Sequence, residues 1–200
     1  MIRARALILL PALLAGCSAQ LTSTLPASAP VVSYVGAQAG VLAPETLGTA
    51  VDGLQRELEQ IAKARAVVPA QVSREGAVLK LRIAADETFG AASAELRPAA
   101  LEFYAELAQA LAHAPGTVAH ILVHGEVASG EPATDLTARR AASLQSYLVL
   151  RGLPGTRLRA EGRGSAQRLT PDAAPANRRI ELVIKPIVAG REAEAWAPPS

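Results

Sequence analysis

Apolar residues recur along this chain in two rhythms, one helical and one pleated. Between positions 45 and 65, Leu47, Val51, Leu54, Leu58 and Ile61 fall at alternating intervals of four and three. That is an a/d stripe with Arg56, Glu57, Glu59 and Lys63 off it, and it predicts an amphipathic helix over 45–65. The rhythm then shortens. Leu79, Leu81 and Ile83 alternate with Lys80 and Arg82, the period of a half-buried strand. Runs 67–73 and 77–83 flank Arg74-Glu75-Gly76 and read as a hairpin. Residues 85–97 read as a loop leading to Pro98, a favoured first-turn residue. A helix follows over 98–113, with Leu101, Tyr104, Ala108 and Leu111 on one face, stopped by Pro115-Gly116. In the strand 118–124, Ala119, Ile121 and Val123 point one way and His120, Leu122 and His124 the other. A second helix spans 137–151, capped by Thr137, with Ala141, Leu144 and Leu148 inward and Gly152 at its end. Runs 157–161 and 179–185 read as strands around a loop.

The order β-(β)-α-β-α-β-β predicts an α/β (α+β) sandwich with its helices on one sheet face. This domain occupies 66–186. The stretch 187–200, with closing prolines and no periodicity, reads as a loose tail. Residues 17–44, rich in Ala, Ser, Thr, Gly and Pro, read as a flexible tether. Ahead of them, Arg3 and Arg5 precede an apolar run too short to span a bilayer. That run closes on Leu14-Ala15-Gly16-Cys17. Small residues before a lone cysteine resemble the lipobox of bacterial lipoproteins. The resemblance implies a signal peptide over 1–16, acylation of Cys17 (palmitate class) and, with Ser18 next, sorting to the outer membrane of a Gram-negative bacterium, facing the periplasm.

Removing that signal changes the charge. The chain carries 20 basic and 18 acidic residues with a net charge of +2, but the first 16 residues hold two arginines and no acid. The remainder is balanced, so nothing in the charge calls for nucleic acid. With Cys17 acylated no thiol is left for a disulfide. The residues give little reason to expect an enzyme. His120 and His124 lie ~13 Å apart along a strand, too far to share one zinc. No Gly-x-Ser-x-Gly elbow and no phosphate loop occurs, so no cofactor is expected.

Four ordered motifs carry a resemblance to the OmpA-like peptidoglycan-binding domain. They are residues 89–98 (Phe-Gly-Ala-Ala-Ser-Ala-Glu-Leu-Arg-Pro), Leu136-Thr137-Ala138-Arg139-Arg140-Ala141 with Tyr147-Leu148, Gly162-Arg163-Gly164, and Asn177-Arg178-Arg179-Ile180-Glu181-Leu182. With the lipobox, the whole resembles the peptidoglycan-associated lipoprotein type. The resemblance implies non-covalent binding of the diaminopimelate arm of the wall's stem peptide, linking outer membrane to cell wall. A protein carboxylate takes the ligand ammonium and an arginine fork its carboxylate. The family arginine maps onto Arg140. Glu126 stands where the family has Asp, after a histidine matched by His124 and before a loop one residue shorter. Asn177 and Arg178 complete the expected peptidoglycan-binding set with His124, Glu126 and Arg140.

Other readings stay open at this point. Arg140 could pair with Glu126 or Asp135, and Asn177 and Arg178 could only fix a loop. The stripe Leu47, Val51, Leu54, Leu58 and Ile61 could join two copies or an envelope protein, or pack on its own domain. A degenerate domain that docks an envelope partner without binding peptidoglycan is the alternative function.

Overall fold

Alternation along the strands and stripes along the helices build one sheet with a helical layer. The structure, a computed structural model, describes residues 40–125, 133–172 and 174–199. Helix α1 spans Leu47–Ala64, strands β1 and β2 span Ala70–Glu75 and Val78–Ala84, and a one-turn helix α2 spans Ala85–Thr88. Helix α3 (Pro98–His113), strand β3 (Thr117–His124), helix α4 (Ala133–Leu150), strand β4 (Leu158–Gly164), strand β5 (Arg179–Pro186) and a short helix α5 (Glu192–Trp196) follow. The sheet order is β1-β2-β5-β3-β4. β3 and β4 run parallel and the other neighbours antiparallel. The expected α/β sandwich is therefore present, and no helix among the described residues is long and apolar enough to cross a membrane.

The helices cover one face. Leu79, Leu81 and Ile83 of β2, Ala119, Ile121 and Val123 of β3 and Ile180, Leu182 and Ile184 of β5 are all buried against α1, α3 and α4. The α1 stripe belongs to this core: Val51, Leu54, Leu58 and Ile61 are buried and Leu47 packs beside them. Each contributes roughly 1.5–3 kcal/mol of apolar burial before its ordering cost. The stripe is thus spent within its own domain and is not offered for a coiled coil between copies. Arg65, after α1, forks onto Glu106 of α3 at 2.6–3.2 Å and reaches Glu102 at 2.7 Å, and Arg74 of β1 bonds Asp52 of α1.

The C-terminal stretch differs from the expected loose tail. Ile187 and Ala195 pack with Val118 of β3, with Trp196 beside them, on the sheet face opposite the helices. The His120 imidazole pairs with the Ala195 carbonyl at 2.8 Å, Lys185 donates to the Ala197 carbonyl at 2.7 Å, and the Arg159 guanidinium lies 4.4 Å over the Trp196 ring. The reason is local. Non-periodic Ile187, Ala195 and Trp196 match Val118 once β3 presents an apolar residue there, and a period search cannot see such a match.

Candidate functional site

Arg140 sits two turns into α4, and its place is set by glycine. A Cβ on Gly162 would lie 2.3 Å from the backbone nitrogen of Ala138, and Gly164 has φ +51° with Thr134 against it. These two glycines of β4 let the start of α4 lie directly on the sheet. Thr137 completes the junction. It was expected to cap the helix, but α4 begins one turn earlier. Its hydroxyl instead donates to the Thr134 carbonyl and accepts the Gly164 N–H, both at 3.1 Å.

From there the Arg140 side chain runs under the segment between α2 and α3. Nε donates to the Ser93 carbonyl at 2.8 Å and Nη2 to the Gly90 carbonyl at 3.0 Å, with the guanidinium 5.1 Å over the Phe89 ring. The residue is only 6% exposed. Burial lowers its pKa, and the charge of Asp86 opposes that shift. A guanidinium has five N–H donors. Two are spent on the loop, one from Nε and one from Nη2. Three of its five N–H groups are left over once the loop is held.

Asp86 is a carboxylate that sequence reasoning passed over, because 85–97 read as plain loop. It lies in the first turn of α2, between β2 and the Arg140-held segment. Arg178 grips it with Nε at 2.9 and 3.0 Å and Nη2 at 2.7 Å, and Arg97 donates to its backbone carbonyl at 3.0 Å. A polar corner thus forms from α2, the 89–97 segment, the start of α4 and Arg178.

The other expected site residues are distributed differently. Glu126 and Cys17 lie outside the described residues. Asn177 is 2% exposed. Its amide oxygen accepts the Leu169 and Thr170 N–H groups at 2.8 and 3.2 Å, and its nitrogen donates to the Thr170 and Asp172 carbonyls at 3.1 and 2.7 Å. Asn177 therefore ties the β4–β5 connection together and does not turn toward Arg140. His124 is 1% exposed on the sheet face away from the helices, so β3 does not bring its ring to Arg140. Burial, then the charge of Arg179, pushes its pKa down to about 4, so it is neutral. No group of three or more metal-ligating side chains occurs among the described residues.

The OmpA family model matches residues 88–181, which include the 89–97 segment, Arg140 and Arg178 but not Asp86. The chain carries an OmpA family domain. It is 28% identical over 121 residues to the probable lipoprotein YiaD of Escherichia coli (strain K12), an alignment covering 58% of this chain and 55% of that protein. The chain thus spans about half the length of this curated relative. Among solved structures, a MotB-like protein from Desulfovibrio vulgaris shares the fold at TM-score 0.62 and 21% identity, over 74% of this chain and 98% of that one. The cell wall anchor of the T6SS from Pseudomonas aeruginosa shares it at TM-score 0.51 and 24% identity, over 66% and 96%.

Proposed function

We propose that this chain is an outer-membrane lipoprotein whose OmpA family domain holds peptidoglycan non-covalently, through the diaminopimelate arm of a stem peptide. Arg140 carries the reading: a nearly buried guanidinium, fixed by two loop carbonyls and an aromatic ring, gives its remaining N–H groups to a ligand carboxylate. In this proposal Glu126 takes the ligand ammonium and Asp86 adds negative charge close by. Pre-fixing the fork lowers the ordering cost that a mobile surface arginine would bear on binding. The lipobox resemblance and the likeness to a probable lipoprotein support the anchored placement, with Cys17 as the acylated residue. The OmpA family match supports association with peptidoglycan, and wall binding needs no catalytic group.

The test pairs binding with fractionation. The full mature chain should co-sediment with purified sacculi, and a soluble stem peptide bearing meso-diaminopimelate should compete it off. Cys17→Ala should leave the membrane fraction while still binding sacculi. Sacculus binding that the peptide does not compete, or none at all, would instead favour a module that docks an envelope protein.

A further inference from the structure

The sheet face away from the helices carries a second polar cluster, distant from Arg140. Its residues come from four strands. Arg82 of β2 lies opposite Glu181 of β5, and Glu181 lies opposite Leu122 of β3. One step further along, Arg179 of β5 and Arg163 of β4 stand beside His124, where β3 and β4 slip register between Val123 and His124. Lys80 completes the ring at 3.8 Å from Glu181.

Charge and hydrogen bonding are both unbalanced here. Glu181, 7% exposed, accepts Arg179 Nε at 2.8 Å and has Arg82 at 3.7 Å. Burial pushes its carboxyl up, but the Arg179 bond and the charges of Arg179 and Lys80 outweigh that and hold it below the usual range. Glu161 is engaged by Arg163 at 3.1 Å. Among the described residues, four cations thus face two carboxylates. Among the described residues, the buried side-chain atoms without a hydrogen-bond partner are Arg82 Nε, Arg163 Nε, Arg179 Nη1 and both ring nitrogens of His124. All belong to this one cluster. A neutral imidazole accepts at only one nitrogen, so His124 cannot satisfy three guanidinium donors. A buried donor that nothing pairs with destabilises the fold.

We propose that this cluster is an oxyanion site, taking a carboxylate or phosphate group between Arg82, Arg163 and Arg179. An oxyanion supplies what is missing: several acceptor lone pairs and negative charge, in the geometry that guanidinium forks bind. The His124 N–H adds a neutral donor. The Arg82 and Arg163 side chains are 42% and 21% exposed, so these two stand at the solvent edge of the site. Arg179, 5% exposed, and His124 form its floor.

Thermal melts of the full mature chain in detergent test this, with inorganic phosphate and acetate titrated at constant ionic strength against chloride. A saturable rise in Tm of several degrees is expected from phosphate if the site takes phosphates and from acetate if it takes carboxylates. Arg82→Gln and Arg163→Gln should each cut the apparent affinity at least tenfold. Lys185→Gln, which removes a cation from the same face that bonds the Ala197 carbonyl, should respond like the parent. Because phosphate also stabilises proteins generally by exclusion from their surface, the saturation and its loss in the variants are the deciding readouts. A linear response shared by all four proteins, or equal loss in Lys185→Gln, would overturn the proposal. Should Arg163→Gln fail to fold, the more exposed Arg82→Gln decides alone.

Discussion

The two ends of the sheet treat buried polar groups in opposite ways. At the end where β3 begins, Arg157 is 3% exposed. Its Nε donates to the Thr117 carbonyl at 2.8 Å. Its Nη2 reaches the carbonyls of Leu111 and Ala114 at 2.8 and 2.6 Å and the Thr117 hydroxyl at 2.9 Å. Burial lowers its pKa to about 10, so it stays charged at neutral pH, and no atom of it is buried without a partner. It closes the C-terminal end of α3, where helical carbonyls lack intrahelical partners and the dipole favours a cation. At the end where β3 finishes, Arg140 holds the segment before α3 with part of its donors, and Arg82, Arg163, Arg179 and His124 keep unpaired capacity. One end spends its buried donors within the fold; the other leaves some of them unspent, which is the contrast the proposed binding roles rest on.

Breaking the closed end should cost the most. Arg157→Ala leaves helix-end carbonyls buried without donors, and about 4 kcal/mol of stability should go. Denaturant melts check this, and sacculus binding per folded molecule should stay at the parent value.

The open end should show itself next, through pH. Folded His124 takes a proton only near pH 4, whereas an unfolded histidine takes one near 6.5. Unfolding therefore binds a proton between these values, and stability falls as pH drops from 6.5 to 4. The loss is about 3 kcal/mol at ~1.4 kcal/mol per unit. Glu181, held below the usual carboxylate range, adds a further loss at lower pH. Melts across this range should show the decline, and His124→Leu should flatten its upper part.

Arg140→Ala sharpens the contrast. It removes two charge-assisted bonds and a ring contact, so about 2 kcal/mol is expected, less than for Arg157. The smallest effect is at the first turn of α3, where the Tyr147 hydroxyl donates to the Leu101 carbonyl at 2.8 Å. Tyr147→Phe should cost about 1 kcal/mol in the same melts and leave binding untouched.

Much of this was legible in the sequence because period carries it. The alternation at Leu79-Leu81-Ile83 and the stripe from Val51 to Ile61 state which side is buried, and both are buried as read. The motif around Arg140 and Ala141 placed the arginine on its helix. What period does not encode was missed. Arg157 looked like the start of a strand, and its role depends on where the chain of α3 returns. Asp86 sat in a presumed loop. Asn177 was offered as a ligand contact, but four of its bonds stay within its own loop. Nor does sequence spacing reveal that His124 and Arg140 lie on opposite sides of the sheet.

The central claim is that Arg140 presents donors to a wall carboxylate, and co-sedimentation of the full mature chain with purified sacculi tests it most directly. Arg140→Ala should bind ten- to a hundredfold more weakly than the parent, since ~1.4 kcal/mol corresponds to tenfold. Arg140→Lys should recover only part of that, because an ammonium cannot form the two-pronged contact. Circular dichroism should show both variants folded. Parent-like binding by folded Arg140→Ala would contradict the account.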